Sequence, residues 1–269
     1  MRMLVRLSCL ILAIPLLVAG CSQTPTSPSA TAPNVAIGVV PHTGIPVPPR
    51  NSVTVPIAIG LTRYMAFGDS ITWGATSAWD ARFLFAAASG GYPERLLAGL
   101  NTYHAPQQFT VVNKGQPGEL AVNAVERFRL LLISEKPQAV LLLEGANDLS
   151  NGVSPVDTAG ALRRMVDTAL NSAVPVLLAT MYQTYEVTDP TGILRHNGAS
   201  QVPSFNSELK KIANGRLNVH IVDLYLLMND PSYVGADGIH TTDAGFEVMA
   251  SAFLDAIELA FPVRRGTPQ

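Results

Sequence analysis

From about residue 60 onward the chain alternates short apolar runs with longer stretches of helical spacing, and this alternation restricts the fold more than any other feature. The strand candidates are 63–67, 109–113, 139–144, 175–181 and 220–225. Between them, 93–100, 120–134, 159–172 and 203–213 read as helices, and a last helix spans about 242–261. Strands that are apolar almost throughout are buried on both faces, and strands joined through helices run parallel. The expectation is an α/β domain built on a parallel sheet with helices on both sides. In such sheets ligands sit beyond the carboxyl ends of the strands, so chemistry is sought in the residues that follow each strand. A chain of 269 residues, 48% hydrophobic, can bury one sizeable core, and a formal charge of -2 gives no reason to expect a nucleic-acid partner.

After the first strand comes Phe67-Gly68-Asp69-Ser70-Ile71-Thr72. Gly68 lets the chain turn sharply and Ser70 is placed to present its Oγ in a crevice, although Asp-Ser after a strand is also an ordinary helix cap. After the second comes Asn113-Lys114-Gly115-Gln116-Pro117-Gly118-Glu119, leading into a helix. It is either a plain strand-to-helix turn or one that aims backbone N–H groups outward at the positive end of that helix. After the third comes Gly145-Ala146-Asn147-Asp148, where Asn147 is a turn residue, a cap, or an amide that donates to a developing negative charge. Before the last helix stands Gly235-Ala236-Asp237-Gly238-Ile239-His240-Thr241-Thr242. Asp237 and His240 are three apart and can lie side by side on one turn. Of five histidines, His42 lies in a Pro-rich segment, His104 and His196 fall in polar loops, and His220 begins a strand. Only His240 has an acid three residues before it. Such an acid fixes the imidazole tautomer and stabilises the imidazolium, as a general base acting on serine requires. The other reading is a capping Asp beside an incidental surface His.

Together, the blocks Gly68-Asp69-Ser70-Ile71-Thr72, Asn113-x-Gly115-x-x-Gly118, Gly145-x-Asn147-Asp148 and Asp237-x-x-His240 resemble those of the SGNH hydrolases, the GDSL esterase and lipase family. The resemblance spans roughly residues 60 to 262. It implies a three-layer α/β/α, flavodoxin-like fold with about five parallel strands. It implies Ser70 as nucleophile, His240 as base with Asp237 behind it, and an oxyanion hole from the N–H groups of Ser70 and Gly118 and the side chain of Asn147. The implied activity is hydrolysis of carboxylic esters (short acyl, lipid or O-acetyl glycan) through an acyl-enzyme. An acyltransferase using the same intermediate, and a non-catalytic envelope binding module on the same fold, are the alternatives. No metal or organic cofactor is expected, and no His-Glu-x-x-His, Cys-x-x-Cys or Walker-type loop occurs. The Gly-x-Ser-x-Gly elbow of the rival α/β hydrolases fits worse, because Thr72 stands where its second glycine belongs. The family's common Pro or Leu after the histidine is Thr241 here. A base must be neutral to act, and free histidine titrates near about 6.5, so activity should fall on the acid side of neutrality. For the substrate pocket the candidates are Trp73, in an insert 73–91 that also holds Trp79, Phe83 and Phe85, and Tyr182 and Tyr185 after the fourth strand. The insert alternatively packs as a local apolar cluster, and the two tyrosines are alternatively surface loop aromatics.

Ahead of the domain, Arg2 and Arg6 precede an apolar run over residues 7–19. That run is too short to span a bilayer comfortably and fits the core of a signal peptide. It ends in Leu17-Val18-Ala19-Gly20-Cys21-Ser22, which resembles the lipobox of bacterial lipoproteins. The resemblance implies cleavage before Cys21 and acylation of its sulfur. Of the two cysteines, Cys9 leaves with the leader, so a lipid also accounts for the unpaired Cys21. Residues 22 to about 58 are dense in Pro, Ser and Thr and read as an extended spacer. The expected organisation is a leader over 1–20, a tether over 21–58, a hydrolase domain over 59–263 and a tail over 264–269. The expected partners are an ester substrate and a membrane reached through the lipid, with no nucleic acid. The expected location is the bacterial cell envelope, at an outer membrane or cell surface.

Overall fold

A computed structural model of the protein describes residues 58–76, 85–87 and 89–263. Cys21, the leader, the tether up to residue 57, Trp79, Phe83 and the tail lie outside the described residues. Five strands form one parallel sheet: β1 (Arg63–Gly68), β2 (Thr110–Gly115), β3 (Ala139–Leu143), β4 (Val176–Ala179) and β5 (Val219–Val222). Their spatial order is β2-β1-β3-β4-β5, the flavodoxin-like order. The helices between and after them are α1 (Tyr92–Tyr103), α2 (Ala121–Glu135), α3 (Pro155–Asn171), α4 (Val202–Ala213) and α5 (Asp243–Ala260). On one face α1 and α5 pack together, with Tyr92 stacked on Phe253 at 4.9 Å. On the other α2, α3 and α4 lie side by side, and Phe128 of α2 meets Phe67 of β1 edge-on at 5.0 Å. The three-layer α/β/α expectation holds. Every residue of β3 is buried, as a central strand covered on both faces must be.

This order creates the crevice. The chain steps from β1 to β2 on one side, then returns to β3 on the other, so the strand order reverses at β1. Gly68 pairs across to Gly115 on one side and to Leu143 on the other, so these three strands end level. The loops that follow them start at the same height and can converge. The close approach depends on glycine. A Cβ on Gly68 would lie 2.0 Å from the Leu143 carbonyl oxygen, and one on Gly115 would lie 2.1 Å from the Trp73 nitrogen.

Several local expectations differ from the structure. The strand expected over 220–225 stops at Val222, because the Asp223 side chain accepts from the Leu226 N–H and opens a short helix, Leu224–Leu227. The strand expected over 175–181 stops at Ala179. Short helices Ser70–Trp73 and Ala146–Ser150 follow β1 and β3. Small hairpins pair Ala75–Thr76 with Phe85–Ala86 and Val187–Thr188 with Leu194–Arg195. His104, read as a residue of a polar loop, is buried with its Nε2 2.8 Å from Glu258 Oε1 on α5.

Candidate active site

Asp69 and Ser70 each make a contact of their own. Asp69 caps the short helix after β1, its Oδ1 accepting from the Ile71 N–H at 2.9 Å. Ser70 is the first residue of that helix, and its Oγ lies 2.9 Å from His240 Nε2. On the far side of the ring, His240 Nδ1 lies 2.8 Å from Asp237 Oδ2. An ionised carboxylate only accepts, so Nδ1 carries the proton and Nε2 turns its lone pair to the Ser70 hydroxyl. Asp237 and His240 do not share a helical turn. Instead Asp237 Oδ1 accepts from the backbone N–H groups of Ile239 and His240, at 3.1 and 3.0 Å, folding the loop around the carboxylate. Burial works against the charge on Asp237. It is outweighed by the hydrogen bond and charge of His240 and by those two N–H groups, so the carboxyl sits below the usual range.

Gly118 lies exposed in the turn between β2 and α2 with φ 77, a left-handed conformation natural to glycine. Asn147 sits on the short helix after β3, where its Nδ2 donates to the Glu119 carbonyl at 3.0 Å. The next residue joins these two loops. Asp148 is buried and caps α2, its Oδ2 accepting from Ala121 N–H at 2.6 Å and its Oδ1 from Val122 N–H at 3.1 Å. The block after β3 therefore holds the turn after β2 against the sheet. Arg127 of α2 secures the same turn. It donates to Glu119 Oε1 at 2.7 Å and to the Lys114 carbonyl at 2.9 Å, and its guanidinium lies 4.0 Å from the Phe67 ring centre. Sequence reading quoted Asp148 within its block without giving it a role, and missed Arg127. The adjacency of Asp148 to Asn147 was a usable signal, whereas Arg127 left none.

Beneath Ser70 the strand ends carry buried acids. Burial pushes Asp69 up to about 6, despite the Ile71 N–H and the charge of His240. Burial likewise pushes Glu144, the residue after β3, well above the usual range, helped by the charges of Asp69, Glu119 and Asp148.

Of the pocket candidates, Tyr182 is fully buried and its hydroxyl donates to the Ile239 carbonyl at 2.5 Å, so it does not line an open mouth. The apolar ring belongs to the core and its polar tip has found a buried acceptor. Tyr185 is half-buried and its backbone N–H donates to the Gly238 carbonyl at 2.8 Å. Trp73 ends the short Ser70 helix and is 36% exposed. A groove lined by Leu61, Val174, Leu217, His220 and Phe261 opens at the amino ends of the strands, the opposite end of the sheet from Ser70. Among the described residues no group of three or more His, Cys, Asp or Glu side chains is placed to hold a metal ion.

A flavodoxin-like sheet with hydroxyl, imidazole and carboxylate in line at its switch point has the form of an ester hydrolase of the three-layer α/β/α class. Residues 66–248 match the GDSL-like Lipase/Acylhydrolase family, and the chain belongs to that family. Among solved structures, the native aryl esterase of M. smegmatis is similar at 20% identity and TM-score 0.64, over 74% of this chain and 100% of that one. The lipase/acylhydrolase of Enterococcus faecalis is similar at 19% identity and TM-score 0.61, over 77% and 100%. A catalytic mutant of the acetylxylan esterase Axe2 from Geobacillus stearothermophilus is similar at 22% identity and TM-score 0.60, over 79% and 100%. At these identities the likeness is one of fold. No curated protein matches the chain.

Proposed function

We propose that the protein is a serine esterase that hydrolyses carboxylic esters through an acyl-enzyme on Ser70. The observation that carries this reading is the unbroken line Ser70 Oγ, His240, Asp237, with links of 2.9 and 2.8 Å. His240 Nε2 takes the hydroxyl proton as Oγ attacks the ester carbonyl, and Asp237 holds the ring and stabilises its charge. The tetrahedral oxyanion is received by the N–H groups of Ser70 and Gly118 and by the Asn147 amide. One amide hydrogen of Asn147 goes to the Glu119 carbonyl, and an amide carries two. His240 returns the proton to the departing alcohol. Water then attacks the acyl-enzyme by the same route, releasing the acid and restoring Ser70.

Short acyl esters are the substrate class we favour, with an aromatic or sugar alcohol as the leaving group. The similar folds named for an aryl esterase and an acetylxylan esterase support that choice. The location we propose, a lipid-anchored place on the bacterial envelope, rests on the cysteine at 21 and the apolar run before it. Labelling with a fluorophosphonate probe and turnover of p-nitrophenyl acetate test the chemistry. Wild type should react with both and Ser70→Ala with neither; equal rates for the two proteins would refute the assignment. Across a chain-length series of p-nitrophenyl esters beside an acetylated-glycan panel, kcat/KM should peak at acetyl. A steady rise toward long chains would overturn the short-acyl choice in favour of lipid. Labelled fatty acid should enter the wild-type chain and not Cys21→Ser, and equal incorporation would overturn the anchor.

A further inference from the structure

The loop that carries Asp237 and His240 has little secondary structure of its own, yet its polar atoms must be satisfied for it to hold one shape. Three consecutive carbonyls of this loop are all taken up by one other segment. The Asp237 carbonyl accepts from Asn197 Nδ2 at 2.8 Å, the Gly238 carbonyl from the Tyr185 N–H at 2.8 Å, and the Ile239 carbonyl from the Tyr182 hydroxyl at 2.5 Å. We infer that the connection after β4, residues 180–198, is a clamp that sets the position of the acid and base, with Tyr182 and Asn197 as its positioning residues.

The segment is built to bear such a load. At its base, Asn206 of α4 grips Met181 on both sides, accepting from its N–H at 2.8 Å and donating to its carbonyl at 2.7 Å. The clamp closes on itself where the Thr184 hydroxyl donates to the Asn197 carbonyl at 2.8 Å and Asn197 Nδ2 donates to the Tyr185 carbonyl at 2.9 Å. Asn197 has φ 49, a left-handed conformation that asparagine tolerates better than most residues. The fit against the loop is close: a Cβ on Gly238 would lie 2.4 Å from the Tyr185 carbonyl oxygen and 2.9 Å from Asn197 Nδ2. Gly238 also has φ 76, so the turn between acid and base is shaped by the clamp and by the absence of a side chain together. Neither Tyr182 nor Asn197 reaches the reacting atoms. They act through the backbone of the loop, and a displacement of about 1 Å at a reacting group is enough to cost about 10²-fold in rate.

The inference rests on the serine-esterase reading for its rate consequences, and the test separates the two. Tyr182→Phe removes only the hydroxyl. Asn197→Asp keeps shape and tolerance of the left-handed region but replaces the donor with an acceptor. In the full-length protein, fluorophosphonate titration counts functional sites and p-nitrophenyl acetate turnover is expressed per titrated site. Both variants should titrate as completely as wild type, with kcat per site down about 10- to 100-fold and KM within about twofold. Hydrogen exchange of the peptide over residues 235–242 should quicken in both, whether or not the protein turns over any ester. Unchanged exchange in both variants overturns the clamp. So does a loss that shows only as fewer titrated sites, each working at the wild-type rate. A wild type that neither labels nor turns over while exchange responds as expected removes the esterase reading and leaves the clamp standing.

Discussion

Asp69 lies under Ser70 at a measurable cost in stability, and Asp69→Asn exposes it. The side chain is buried, and burial lifts its carboxyl from 3.8 to about 6. The amide is close to isosteric and its oxygen can still accept from the Ile71 N–H, so the cap on the Ser70 helix survives. The folded carboxyl keeps its proton to a higher pH than the unfolded one. Its contribution is therefore fully present below the unfolded value and is lost as pH rises through about 6. The rise from 3.8 to about 6 corresponds to about 3 kcal/mol across the whole titration. The asparagine does not titrate. The stability of Asp69→Asn relative to wild type should therefore rise by about 2.5 kcal/mol between about pH 4 and about pH 7.5, the remainder lying below that range. Urea unfolding of both proteins at half-unit pH intervals, with the slope of each transition checked for constancy, reads this directly. A difference that stays flat across that range would refute the reasoning. At neutral pH, where the wild-type carboxyl is ionised in its buried site, the variant should gain most.

Asn147→Ala should lower kcat on p-nitrophenyl acetate by about 10²–10³, the usual effect of removing one oxyanion donor, and circular dichroism should show the fold retained. Asp148→Ala strips the cap from α2 and leaves the N–H groups of Ala121 and Val122 without their carboxylate acceptor. Urea unfolding should show a loss of about 2 kcal/mol or more, accompanied by lower activity because the Gly118 turn loosens with the helix.

The sheet was readable because each strand announces itself locally. A run such as Ala139–Leu143, apolar at every position, has few other uses in a chain this long. The blocks after the first and third strands and before the last helix were readable for a similar reason: Gly68, Gly145 and Gly238 mark sharp local geometry, and the polar residue beside each one stands out against apolar surroundings. The ends of elements were less readable. Asp223 stops β5 by capping a helix, a choice between two local bonding patterns that periodicity does not register. Tyr182 was misplaced because a tyrosine after a strand reads the same whether it opens to solvent or turns inward. Only the carbonyl of Ile239, 57 residues away in sequence, decides it.

The amino-acid sequence on its own determined the layer order of the fold and the kinds of group that gather at the strand ends, since both follow from short-range pattern and side-chain chemistry. Tertiary structure alone decided which atoms meet. The 2.9 Å approach of Ser70 to His240 closes 170 residues of chain, and His104 finds Glu258 across 154. The supports of Arg127, Asp148 and Asn197 exist only after the loops have converged. A hydrogen bond depends on distances of a few tenths of an ångström, and such distances are set by the packing of the whole sheet and its helices rather than by any neighbouring residue.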